Sequence, residues 1–268
     1  MDAEDFRAAS VAAERIFFSA EDRTERAEAV LAKSWALKHL GEYDAALDNL
    51  RRVNMRNLPH KLEYRLLHER VILHYLNESW SDAQSELQRL NHFVENEDWR
   101  NYSAYLGILS LVEQQRWDEA REETSKYFET IGIDKHPEHI FGENHPEMKD
   151  PERAALWSTF IPGSGHVYGG NTLEGMGSAA LQLTSLAWGA YNVIHGFYAT
   201  ALITGGGLFQ AFYFGGIERA ETITENANRE AIKTYNAKVT ERLMETIEPY
   251  LNKKRRTPER SPFEYQED

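Results

Sequence analysis

Residues 32–50 read AKSWALKHLGEYDAALDNL. Ala32, Trp35, Ala36 and Leu40 share one face at helical spacing, and Gly41 then ends that helix as a C-cap glycine would. Tyr43, Ala46, Leu47 and Leu50 lay an apolar stripe on a second helix. A pair of amphipathic helices joined by a turn cannot bury its apolar face alone, so neighbouring pairs must stack on it.

The rest of the N-terminal half supplies those neighbours. The aromatic-x-x-Ala pattern of Tyr43 and Ala46 recurs at Phe6 and Ala9, Trp80 and Ala83, and Trp117 and Ala120, at intervals of 37 residues. Arg15, Arg52 and Arg89 keep the same phase, each followed by an apolar residue. A constant period of this length marks a helical repeat array. The small alanine lets two helices approach closely while the aromatic ring fills the groove beside it. The pattern predicts helices near 5–18, 25–40, 43–54, 60–77, 80–95, 99–114 and 117–131, with Pro59 ahead of a new pair. The element Gly41-Glu42-Tyr43-Asp44-Ala45-Ala46 resembles the start of the second helix of the tetratricopeptide (TPR) repeat, Gly-x-Tyr-x-x-Ala. The resemblance covers about residues 5–131 and has departures: Glu78 and Gln115 stand where later copies would carry the turn glycine, and the unit exceeds the usual length of about 34 residues. It implies a scaffold whose concave groove holds a protein partner.

Composition divides the chain sharply. Residues 1–150 carry 30 acidic and 19 basic side chains, a net of −11, whereas residues 154–217 contain a single charged residue, Glu174, and most of the glycines. The overall charge of −13 argues against a nucleic-acid binder, which needs a basic face for phosphates. The absence of cysteine removes disulfides, thiol catalysis and thiolate metal sites. Residues 132–152 hold three prolines and no apolar period, and read as a solvated linker. Their His136, His139 and His145 with Glu138, Glu143 and Glu147 raise a metal site, but a proline-rich loop preorganises none, so no metal is expected.

From 153 to 217 the sequence reads as a glycine-rich hydrophobic hairpin. Gly175 to Ile217 carries no formal charge, and since roughly 20 helical residues cross a bilayer core of about 30 Å, two antiparallel crossings joined at His195-Gly196 are expected, with membrane lipid around 154–217. The stretch leading in, Ile161-Pro162-Gly163-Ser164-Gly165-His166-Val167-Tyr168-Gly169-Gly170, lacks the Gly-Lys-Ser/Thr of a phosphate loop and the preceding strand of a dinucleotide site. Its Pro162, Gly163, Gly165, Tyr168 and Gly169 match the Pro-Gly-x-Gly-x-x-Tyr-x-Gly signature of small bacterial two-pass hairpin families, which it resembles over about residues 152–236; His166 stands where glutamine is frequent. The resemblance implies a bacterial membrane protein without known activity. Catalysis here would need Ser164, His166 and an acid to converge, and a glycine-rich turn explains the same residues.

Ile223, Ala227, Ala231, Tyr235, Val239, Leu243, Ile247 and Leu251 recur every four residues and predict a long amphipathic helix over 218–252. Lys253-Lys254-Arg255-Arg256 opens a basic tail, 253–268, expected to be disordered beyond residue 256. The expected fold class is therefore all-α: a helix-turn-helix repeat solenoid over 1–131, then the hairpin, then the amphipathic helix. The expected function is a non-enzymatic adaptor or scaffold anchored in a bacterial envelope membrane, without cofactor, binding protein partners through its repeats. The alternative is a soluble structural subunit whose hairpin docks onto a partner protein. The acidic start, Met1-Asp2-Ala3-Glu4-Asp5, is no signal peptide; a removed export signal would place the repeats in the periplasm, and a cytoplasmic face is the other possibility.

Overall fold

The computed structural model describes residues 3–255, all-helical with no strand among them. The expected tail beyond Arg255 lies outside the described residues. The chain forms two compact units, one made of residues up to Asn144 together with those from Asn236 onward, the other of His145–Tyr235.

The first unit begins with α1 (Ala3–Ser19), α2 (Arg23–His39), α3 (Tyr43–Leu50), α4 (His60–Leu76), α5 (Trp80–Phe93), α6 (Glu97–Glu113) and α7 (Trp117–Ile131). Each packs on the next, and α2, α4 and α6 also touch in succession. The periodic alanines explain how: Ala46, Ala83 and Ala120 are fully buried, so the helices that carry them meet a neighbour where any longer side chain would intrude. Tyr43 and Trp80 are half-buried and Trp117 is buried. The first copy differs. Phe6 and Ala9 are only half-buried; α1 packs on α2, where the Phe6 ring stacks on His39 at 4.6 Å and meets Trp35 edge-on at 5.5 Å.

Between paired helices the turn itself repeats. Gly41, Glu78 and Gln115, spaced by the period, all adopt left-handed backbone, with φ of 75°, 57° and 61°. In each copy the next residue donates its N–H back into the ending helix: Glu42 to Leu37 O at 3.0 Å, Ser79 to His74 O at 2.9 Å, Arg116 to Leu111 O at 3.0 Å. This closes the helix with a Schellman-type cap and aims the next one back along it. Glu78 and Gln115 thus preserve the turn that a glycine makes at Gly41.

Buried polar groups stitch the stack. Asn49 Nδ2 donates to Val30 O at 2.8 Å and to Ser34 Oγ at 2.9 Å, joining α2 to α3. Between α4 and α6, Ser103 Oγ lies 2.8 Å from both Tyr64 OH and His68 Nδ1. Burial pushes His68 down to about 3, with the Lys38 charge adding to the effect, so its ring is neutral at pH 7.

Residues 132–152 depart from the expected solvated linker. Pro137 starts a short helix, α8 (Glu138–Phe141), whose Ile140 and Phe141 are buried in the first unit. Arg121 Nη2 donates to Gly142 O at 2.9 Å, and Arg242 Nη1 to Ile140 O at 3.3 Å. The C-terminal helix, α13, runs Gly207–Arg255, starting before the expected residue 218. Its Val239, Leu243, Ile247 and Leu251 are buried in the first unit, where Asn236 accepts from Trp117 Nε1 at 2.9 Å and donates to Glu113 at 3.1 Å. Lys253 is exposed.

Two outcomes follow from these features. Left-handed backbone costs a non-glycine residue about 1–2 kcal/mol, while glycine loosens the unfolded chain by roughly 0.4–1 kcal/mol. Glu78→Gly and Gln115→Gly should each therefore stabilise by about 0.5–1 kcal/mol, and Gly41→Ala should destabilise by about 1 kcal/mol, read from thermal and urea midpoints. For His68 the folded value lies below the unfolded one near 6.5, so the unfolded chain binds the extra proton between the two. Its stabilisation is complete above about pH 6.5 and declines by about 1.4 kcal/mol per unit as pH falls toward 3. Urea titrations between pH 6.5 and pH 5 should find this slope reduced in His68→Gln.

Candidate apolar interface

The second unit is built around the Pro-Gly signature. Asp150 caps α9 (Pro151–Phe160) by accepting from Glu152 N at 2.9 Å and Arg153 N at 3.3 Å, with Pro151 in the first turn where its missing N–H costs nothing. Pro162 and Gly163 then turn the chain into α10 (Ser164–Gly169), and Asn171 caps α11 (Thr172–Ile194) through Glu174 N at 3.1 Å.

Each signature glycine sits where two backbones meet. A Cβ on Gly163, whose φ is 81°, would strike the Gly175 carbonyl of α11; one on Gly165 would strike the Ala154 carbonyl of α9; one on Gly169 would lie 2.9 Å from both Ile223 and Thr224 of α13. Gly165 N also donates to Ser158 Oγ at 3.2 Å. Tyr168 OH accepts from Asp150 N at 3.1 Å, and Pro162 is half-buried beside the turn. The signature residues Pro162, Gly163, Gly165, Tyr168 and Gly169 therefore form one packing knot joining α9, α10, α11 and α13. Ser164 Oγ donates to Ile161 O at 2.8 Å, which closes the turn and leaves it unpaired with the buried His166.

Beyond the knot, α11 lies antiparallel to a return segment made of α12 (Tyr198–Thr200), a π-helical stretch Ala201–Gly206 and the start of α13. Glu174 meets Arg219 in a two-pronged ion pair, 2.9 Å on each arm. Ser178 and Gln182 face Gly216, Gly189 faces Gly205, and Trp188 Nε1 donates to Thr204 Oγ1 at 2.9 Å. Gly205 has no room for a Cβ against Gly189 Cα, so the two chains touch main chain to main chain.

The line of α11 that makes these contacts is Gly175, Ser178, Gln182, Ser185, Gly189 and Asn192, all buried or half-buried. Gln182, Ser185 and Asn192 are almost wholly enclosed. The latter two satisfy themselves within the helix, Ser185 Oγ donating to Leu181 O at 2.7 Å and Asn192 Nδ2 to Trp188 O at 2.8 Å. The large apolar side chains point the other way. Leu173, Met176, Leu183, Leu186, Val193 and Ile194 of α11 are exposed, as are Phe160, Ile161, Phe197, Leu202, Ile203 and Phe214 around it. This order of polar inside and apolar outside is the reverse of a helix facing water.

The expected pair of crossing helices requires correction: no helix among the described residues is long and apolar enough to cross a membrane. Length is not the shortfall in α11, whose 23 residues at about 1.5 Å each would span a bilayer core of about 30 Å. Its mean hydropathy is, because the seam glycines, Ser, Gln and Asn dilute the leucines. The return segment is further divided by its π-helical stretch. No three His, Asp or Glu side chains converge as a metal site among the described residues. The linker histidines are apart in role: His145 Nδ1 lies 3.2 Å from Tyr235 OH, and His136 pairs with Glu138 at 3.5 Å.

No protein-family model, curated protein or solved structure matches this chain.

The seam makes a sharp prediction about glycines. Gly165→Ala and Gly205→Ala each drive a methyl into main-chain atoms and should destabilise by about 1–3 kcal/mol. Gly177→Ala, which meets nothing within 4 Å on the exposed side of α11, should stabilise by up to about 1 kcal/mol. Thermal unfolding of the full chain in matched detergent compares the three.

Proposed function

We propose that this chain is a membrane-associated adaptor. Its hairpin unit lies in lipid, and its helical-repeat unit, of tetratricopeptide type, offers a surface to a protein partner in a bacterial envelope assembly. The observation that carries the reading is the inverted sidedness of α11. Water would leave a broad apolar exterior uncovered, well beyond what a monomeric soluble surface ordinarily exposes. Each exposed Leu or Ile that gains an apolar surrounding contributes about 1.5–3 kcal/mol. Lipid is as apolar as leucine, so helices within it associate through small residues, close backbones and side-chain hydrogen bonds. Gly189 against Gly205 and the Ser178–Gln182–Ser185 line fit that pattern. A window-averaged hydropathy is blind to it, because seam and exterior are counted alike.

The reading assigns the chain no catalytic chemistry, cofactor or nucleic acid. The low mean hydropathy favours one alternative: a structural subunit whose hairpin docks by the same exterior onto a partner protein. Fractionation separates the two. The native full-length protein should stay with membranes through a carbonate wash, and Leu183→Glu with Leu186→Glu should move it to the soluble fraction. Wild-type protein that is monodisperse in buffer without detergent would overturn the lipid reading.

A further inference from the structure

A groove of about 530 Å³ runs beside the Pro162-Gly163 turn of the hairpin unit. Its walls are Trp157 on α9, Ile161 just after it, Val167 and Tyr168 on α10, and Met176 and Ala179 on α11. Trp157, Ile161, Val167 and Met176 are exposed, so the groove opens onto the same apolar exterior.

Next to Tyr168 the main chain of an exposed lysine is held in place. Asp150 N donates to Tyr168 OH at 3.1 Å, which pins the 149–150 peptide to the groove wall. Asn228 holds Lys149 on both sides of its main chain, accepting from its N–H at 2.9 Å and donating to its carbonyl at 2.7 Å. Three hydrogen bonds thus anchor the backbone of an exposed lysine. Its Nζ stands 3.6 Å from where a Cβ on Gly170 would lie, and it joins no ion pair among the described residues. The neighbouring Asp150 carboxylate is taken up by the first turn of α9, and Arg153 adds a second exposed cation close by in sequence to offset Glu152.

We propose that this groove seats one acyl chain of an anionic phospholipid whose phosphate rests on the Lys149 ammonium. An apolar groove with an exposed lysine whose main chain is anchored beside its Tyr168 wall matches a chain joined to a phosphate. An uncharged oil would leave the lysine without a role, and free phosphate would leave the groove without one. A single lysine at a membrane surface changes partition to anionic lipid by about fivefold. The proposal rests on the lipid reading of the hairpin unit.

The test uses full-length protein and vesicles of phosphatidylcholine alone or mixed equally with phosphatidylglycerol, followed by flotation. The phosphatidylglycerol carries bromine midway along its chains, and tryptophan emission is recorded. Binding should favour the mixed vesicles, with the preference falling about fivefold in Lys149→Gln. The bromine quenching should fall in Trp157→Phe and in Ala179→Phe, which fills the groove. If the protein floats but neither Lys149→Gln nor the two groove variants alters these signals, the lipid seat is wrong and the membrane reading stands. If the protein does not float with either vesicle, both are wrong.

Discussion

Gly205 presses against Gly189 so closely that no side chain fits between them, and the organisation of the hairpin unit follows from that approach. When two helices meet main chain to main chain, the line of contact holds glycine, small residues and polar side chains that hydrogen-bond along their own helix, as Gln182 does to Ser178. In α11 those positions are Gly175, Ser178, Gln182, Ser185, Gly189 and Asn192, and every leucine is left to face outward. The apolar exterior is thus the geometrical consequence of a small-residue interior. The Pro-Gly knot extends the same logic to α9, α10 and α13, with a carbonyl or side chain waiting where each signature glycine would carry a Cβ.

The repeat unit follows a different rule, in which the turn is the conserved object. Gly41, Glu78 and Gln115 share one left-handed conformation and one pattern of capping bonds. Each copy hands the chain to a helix whose buried alanine, Ala46, Ala83 or Ala120, accepts the neighbour's surface. Backbone strain at Glu78 and Gln115 is outweighed by the packing it directs. The stretch of α13 from Asn236 onward adds buried apolar surface to this unit, with Asn236 tied to both Trp117 and Glu113.

Much of this was legible from residue spacing, and the misses have physical causes. The helices from α1 to α7 fall where apolar periodicity put them, because long amphipathic segments carry a strong signal. The turns at Glu78 and Gln115 read as departures, since identity alone does not reveal that a non-glycine residue has been forced to positive φ. Ile140 and Phe141 looked like part of a loop because two apolar residues cannot establish a period. The four-residue apolar period starts only at Ile223, which set the expected helix start at 218, yet α13 begins at Gly207 and runs through Gly215 and Gly216; Gly216 is small because Ser178 and Gln182 lie against it. The seam of α11 was visible as alternate steps of three and four residues. Gln182 and Asn192 fall on that same line, and both are buried. The signature glycines stood out, but the carbonyls they make room for come from distant segments.

The central claim is that the outward face of α11 meets lipid while its seam meets protein, and a nitroxide scan tests it most directly. The chain contains no cysteine, so single substitutions such as Leu181→Cys, Leu183→Cys, Leu186→Cys, Ser178→Cys and Ser185→Cys can each be labelled without background. In vesicles containing the full-length protein, labels at 181, 183 and 186 should collide readily with oxygen and poorly with a water-soluble nickel complex, while those at 178 and 185 should be shielded from both. High nickel accessibility along the outward face, or shielding from oxygen and nickel alike at all five positions, would contradict the account.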